Sequence, residues 1–305
     1  MGALALAEQS RGEVAGSPQI DVERAPILPL AAGVVILGWA LTTRAMQLGH
    51  APRNAWSLNP GASLLLFVLL LGVGPYAGGM LVSAVGITTD QLSLQSAVVW
   101  SIGVFTVQMF FIGLLVAAER KGLFAHTGHN ADDESILWMR APLSRTKSAL
   151  VGALALALAW FPLQVIGSLA SSVEALCGGR PPPAEGHSTF ELLRSSPSDA
   201  WRSAMVSVVL VCAPITEELA FRGGLLRALR MVRVPVWTAI AATSTLFAAV
   251  HVPALADGAM ASGLTTLFAL AMVLGWLMER TGRIIAPIVA HSLFNLINLI
   301  LFFTA

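Results

Sequence analysis

Charge is what this chain has least of. Asp, Glu, Lys and Arg make up 11% of its residues, against about one quarter in soluble domains. That scarcity excludes an ordinary soluble globular protein. With 56% hydrophobic residues and a mean hydropathy of +0.75, it points to a membrane protein. The few charges nearly cancel, 18 Lys and Arg against 17 Asp and Glu, so no global basic field invites nucleic acid. Cysteine is scarce too. Cys177 and Cys212 cannot build a disulfide framework, and no Cys-x-x-Cys spacing exists, so both read as small inert hydrophobes. A basic start followed at once by an apolar core is also missing. Residues 1–26 are mixed polar with both charge signs, so no cleaved signal peptide is expected.

What the chain does have is long apolar runs. A spanning helix needs about 20 mostly apolar residues, and eight candidates are legible: 27–46, 62–85, 96–118, 148–173, 202–226, 236–252, 262–279 and 284–303. The fold class expected is all-α, a polytopic transmembrane helical bundle in the cell (plasma) membrane. Lys and Arg gather in alternate connections: at Arg120, Lys121, Arg140, Arg145 and Lys147, then at Arg227, Arg230 and Arg233, then at Arg280 and Arg283. Those connections should face the cytoplasm, and both termini should face away from it. The run Arg227, Arg230, Arg233 reads either as a basic stripe for an anionic leaflet or as a topology anchor. Gly178 to Pro183 is a helix stop, and Ser198 or Asp199 can cap the helix that follows. Gly74-x-x-x-Gly78 permits close helix approach. His126-Thr127-Gly128-His129 before Asp132, Asp133 and Glu134 reads either as a metal loop or as a solvated loop.

The chemistry sits in the last third. The fifth span reads Pro214-Ile215-Thr216-Glu217-Glu218-Leu219-Ala220-Phe221-Arg222-Gly223. Ionised groups at mid-bilayer cost at least ~2.5–3.5 kcal/mol each, so they persist when paired or lining a cavity. Glu218 and Arg222 are four apart and share a helix face. Glu217 points about 100° away and has no such partner on its own helix. The sixth span ends Phe247-Ala248-Ala249-Val250-His251. The eighth holds His291-Ser292-Leu293-Phe294-Asn295, with His291 and Asn295 on one face. A shared polar cavity explains why two imidazoles, an amide and two carboxylates fall in three apolar spans. Glu217 beside an imidazole can deprotonate water, and His291 and Asn295 can donate to the oxyanion of an attacked amide. One geometric tension accompanies this reading. His251 lies near the end of its span and His291 near the start of a parallel one, leaving them ~10 Å or more apart in depth. A sixth helix that ends inside the protein would reconcile them.

Glu217-Glu218-x-x-x-Arg222, Phe247-x-x-x-His251 and His291-x-x-x-Asn295 resemble the three motifs of the CPBP family, which includes the type II CAAX prenyl endopeptidases and bacterial bacteriocin-processing and immunity proteins. Glu279-Arg280-Thr281-Gly282 before Ile285-Ala286-Pro287-Ile288 adds to the match. The resemblance covers about residues 200–300 and divides the chain into a polar segment (1–26), N-terminal helices with polar loops (27–199) and a CPBP-like catalytic transmembrane domain (200–305). It implies an intramembrane endopeptidase acting on a membrane-associated protein or peptide. It also implies Glu217 as general base assisted by His251, with His291 and Asn295 as the two oxyanion donors, and Glu218 and Arg222 as support for the site. Phe247 belongs to the second motif. Glu217, His251 and His291 are the residues zinc would use. No His-Glu-x-x-His is present, and the metal-free glutamate mechanism, with no cofactor, is favoured. Two other readings stand beside it. A transporter with a buried Glu/His proton relay would spread charges through several helices. A non-catalytic immunity or scaffold protein would make Glu217 dispensable.

Overall fold

The structure is a computed structural model. It describes residues 31–36, 58–84, 86, 93–123, 143–177, 188–195, 198–255 and 260–304. Every described element is helical. We number them α1 (31–36), α2 (Pro60–Ala84), α3 (Leu94–Arg120), α4 (Arg145–Leu176), α5 (Ser188–Ser195), α6 (Asp199–Met231), α7 (Val236–Ala254), α8 (Met260–Thr281) and α9 (Ile285–Thr304). Seven of these, α2–α4 and α6–α9, are long and apolar enough to cross a membrane. They coincide with the second to eighth expected spans. The first, 27–46, lies outside the described residues apart from α1, as do residues 1–26, the stop at 178–183 and the metal-loop candidate at 126–134. The protein is an integral membrane protein with an all-helical bundle. Large apolar side chains such as Leu64, Met80, Phe110 and Leu154 are exposed on its outside, where lipid removes any penalty.

Helix α5 falls in a stretch expected to be loop. It is eight residues long, too short to register as an apolar run, and it folds because one face has partners. Leu193 is buried among Leu94, Val98, Met205 and Leu299, and Phe190 stacks on Phe302 at 4.9 Å. Ser198 takes the N-cap position of α6, and Asp199 in its first turn pairs with Arg202 at 3.2 Å.

Helix α2 lies against α3 and α6, α4 against α8 and α9, and α7 against α6 and α8. The α2–α3 seam depends on Gly78. A Cβ there would collide with the Val104 backbone, and one at Gly74 would come within 2.8 Å of Gln108 Cγ. Gly78→Leu is expected to wedge the helices apart at a cost of about 1–3 kcal/mol, read as a lower thermal midpoint in detergent. Gly72→Leu, where nothing lies within 4 Å, should leave the midpoint in place.

Two helices carry under-wound π turns, Leu69–Val73 in α2 and Val208–Cys212 in α6. Each stands just before a proline, Pro75 and Pro214. Proline has no N–H to continue the backbone ladder, and a locally widened turn redistributes the bonds that remain. A second π segment, Leu219–Leu226, carries Arg222.

The arginines after the site do not form an outward stripe. Arg227 is buried, and its Nη2 donates to the Leu58 carbonyl at 3.3 Å. Arg230 donates to the Val234 carbonyl at 2.6 Å and pairs with buried Glu279 at 3.4 Å. Arg233 alone of the three is exposed, at a left-handed turn with φ 66°. The first two are drawn inward because the end of α6 is enclosed by the segment at Leu58 and by α8.

The depth tension is resolved at the ends of two helices. The α-helical part of α7 stops at Val250, with His251 as its C-cap residue. The α8–α9 turn is set into the protein: Thr281 and Ala286 are fully buried. Leu143 N–H donates to the Thr281 carbonyl at 3.1 Å, and Arg283 Nε donates to the Leu143 carbonyl at 2.9 Å. The segment before α4 thus covers the turn, and His251 and His291 both reach Glu217 Oε2 within 3.9 Å.

Candidate active site

Consecutive residues on a helix diverge by about 100°, and Glu217 and Glu218 use that divergence. Glu218 turns inward and is fully buried. Its Oε1 accepts from Arg222 Nη1 at 3.0 Å and from His291 Nδ1 at 2.9 Å. Arg222 is buried as well. Its Nη2 donates to the Ala271 carbonyl of α8 at 3.0 Å, and its guanidinium lies 4.9 Å from the centre of the Phe247 ring. A buried ion pair needs such extra partners because taking each charge out of water costs several kcal/mol.

Glu217 faces the opposite way. Its Oε2 is 3.8 Å from His251 Nε2 and 3.9 Å from His291 Nε2, beyond direct hydrogen-bond reach. That oxygen is buried and accepts no hydrogen bond from the described protein atoms. Both imidazoles are oriented through their other nitrogen. His251 Nδ1–H donates to the Phe247 carbonyl at 2.7 Å, which can only accept. His291 Nδ1–H donates to Glu218. Each ring therefore presents Nε2 to Glu217. The Phe247 ring is wedged between them, with its centroid 4.7 Å from that of His251 and 5.8 Å from that of His291. Phe221 packs on Phe247 at 5.1 Å, and Phe67 of α2 on Phe221 at 5.6 Å. Exposure falls from the Glu217 and His251 side chains, 23% and 19%, to 6% for His291. The site is thus open on the Glu217–His251 side.

Asn295 lies one turn beyond His291 on α9. Its Nδ2 donates to the Val209 carbonyl of α6 at 2.9 Å, in the widened turn before Pro214. The family resemblance implies an oxyanion donor at this amide, whereas its Nδ2 is engaged by the α6 backbone.

Tetrahedral zinc with bonds of about 2.0–2.1 Å sets its ligand atoms about 3.4 Å apart. Glu217 Oε2 stands somewhat farther than that, 3.8 and 3.9 Å, from the two Nε2 atoms, and among the described residues no group of three His, Cys, Asp or Glu has the geometry of a metal site. No chemical step below is routed through a metal.

Of the expected residues, Glu217, Glu218, Arg222, Phe247, His251 and His291 meet in one place, with Asn295 adjoining. Four contributors were not singled out: Phe67, Phe221, and the carbonyls of Ala271 and Val209. Phe221 lies inside the first motif, where its spacing from Phe247 gave no signal. Backbone carbonyls leave no trace in side-chain pattern.

Residues 199–297, about a third of the chain, match the family model of the type II CAAX prenyl endopeptidases, Rce1-like. The matched segment holds all three motifs and every side chain of the site except Phe67. No curated protein and no solved structure matches the chain.

Proposed function

We propose that this protein is an intramembrane endopeptidase in which Glu217 activates water against a peptide bond of a membrane-associated substrate. The observation that carries the reading is the convergence of Glu217 Oε2 with two imidazole Nε2 atoms at 3.8 and 3.9 Å. A gap of that size suits a water bridging Glu217 Oε2 and an imidazole Nε2, at about 2.8 Å from each. The match of residues 199–297 to an endopeptidase family supports the same reading.

The reaction divides as follows. Glu217 takes a proton from the water, with His251 Nε2 accepting a hydrogen bond from it. The resulting hydroxide adds to the carbonyl carbon of the scissile amide. A proton at His291 Nε2 would donate to the oxyanion. With Nδ1–H held by Glu218, that donor requires a proton on both ring nitrogens of His291. Glu217 then passes its proton to the leaving nitrogen as the C–N bond breaks, giving a new carboxyl and a new amine. The steps are general base catalysis followed by oxyanion stabilisation, and none requires a cofactor. Buried ionisable side chains fall on α6, α8 and α9 and not on α2–α4 among the described residues. That concentration suits a single reaction centre better than a relay crossing the bilayer.

The test is cleavage of membrane-anchored peptides by the purified protein in detergent, in ¹⁸O water and with a strong chelator. The expected result is one ¹⁸O in the new carboxyl terminus and a rate the chelator does not change. Loss of cleavage in chelator, restored by zinc, would transfer the chemistry to a metal. Failure of every peptide to be cut would end the peptidase reading.

A further inference from the structure

The two widened turns share a feature beyond their prolines. In α6 the Ala213 N–H bonds back five residues to the Val208 carbonyl. The next N–H in that register would reach the Val209 carbonyl, but residue 214 is proline and has none. The Val209 carbonyl is served instead by Asn295 Nδ2 at 2.9 Å. The same construction recurs in α2. In α2 the Gly74 N–H bonds to the Leu69 carbonyl, Pro75 supplies no donor for the Leu70 carbonyl, and buried Gln108 of α3 donates to it through Nε2 at 2.7 Å. Twice a side-chain amide from a neighbouring helix stands in for a proline's missing N–H. Gln108 donates to a backbone carbonyl and not to a side chain of the site, so the device serves helix geometry in its own right.

We propose that Asn295 is a positioning residue that replaces the hydrogen bond Pro214 cannot make, and thereby fixes the turn of α6 that aims Glu217 at the two imidazoles. Pro214 precedes Glu217 by three residues, less than one turn, so rotation of α6 at the widened turn carries the carboxylate with it. The bond also ties α6 to α9 one turn from His291. One amide thus sets the base against the imidazole that faces it. A displacement of about 1 Å in such a constellation costs on the order of 10²-fold in rate. The proposal rests on the peptidase reading for its effect on rate, but not for its effect on structure.

The two effects are separated by a double-mutant cycle. Asn295→Ala is made with Pro214 and with Pro214→Ala, where a backbone N–H is restored and the amide becomes redundant. Thermal midpoint in detergent is read for all four proteins, and kcat and KM for peptide cleavage wherever the wild type cuts. With Pro214 present, Asn295→Ala should lower the midpoint by about 3 °C or more and reduce kcat about 10- to 100-fold at unchanged KM. In the Pro214→Ala background both losses should shrink to near nothing. The pair Gln108→Leu and Pro75→Ala should repeat the midpoint result. Equal loss from Asn295→Ala in both backgrounds, or no midpoint change with Pro214 present, overturns the proposal. Absence of cleavage by the wild type leaves the midpoint cycle to decide the positioning claim and counts against the peptidase reading separately.

Discussion

Arg222→Met is expected to leave a protein that aggregates or melts far below the wild type. The change leaves fully buried Glu218 without its guanidinium partner and with only the His291 hydrogen bond, frees the Ala271 carbonyl and removes the cation from the face of Phe247. Breaking a buried pair by deleting one partner costs about 3–5 kcal/mol, a large share of the about 5–15 kcal/mol by which a typical fold is stable. Arg222→Lys should fall between the two. It keeps the charge, but a point donor cannot span both Glu218 and the Ala271 carbonyl. Size-exclusion profile and thermal midpoint in detergent read the outcome. A methionine variant as stable as the wild type would mean that the pair has no structural role.

The placement of these groups explains why so much of the site was visible in the sequence. Charged side chains inside apolar runs are expensive, so Glu217, Glu218, Arg222 and His291 stood out at once. The i, i+4 spacing of Glu218 and Arg222 gave their pairing directly, and the structure has it at 3.0 Å. The runs themselves located seven helices to within a few residues. What stayed hidden has a common cause. The depth of His291 depends on the recessed α8–α9 turn, which is held through Leu143, 140 residues away from Arg283. Asn295 reaches a carbonyl released by a proline on another helix. Arg227 and Arg230 turn inward because of what covers them, although their spacing reads as a surface stripe. Each of these is fixed by backbone groups or by long-range packing, and neither shapes the periodicity of side chains. The short helix α5 belongs with them, since its fold comes from partners on α3, α6 and α9.

The N-terminal helices, which the sequence left without a role, touch the site by packing. Phe67 on α2 meets Phe221. A Cβ at Gly224 would come within 3.0 Å of Phe67 Cβ and of the Ser63 carbonyl, so α2 and α6 approach closely where the first motif ends. The matched third of the chain is therefore supported from outside itself.

Glu217→Gln is expected to have the largest effect on chemistry and almost none on fold. The substitution preserves size and shape. The Glu217 Oε2 atom accepts no hydrogen bond from the described protein atoms, so no direct protein contact of that oxygen is lost. An amide, however, cannot take a proton from water at neutral pH, and removing a general base lowers kcat by about 10²–10⁴-fold. The contrast with Arg222→Met is sharp: one variant should be folded and inactive, the other unfolded.

The most direct measurement is a side-by-side cleavage assay of wild type and Glu217→Gln on the same membrane-anchored peptide. Both proteins are first matched for elution volume and thermal midpoint. Cut peptide with the wild type and intact peptide with the glutamine variant is the predicted result. Cleavage by both at equal rates would contradict it and remove Glu217 from the reaction.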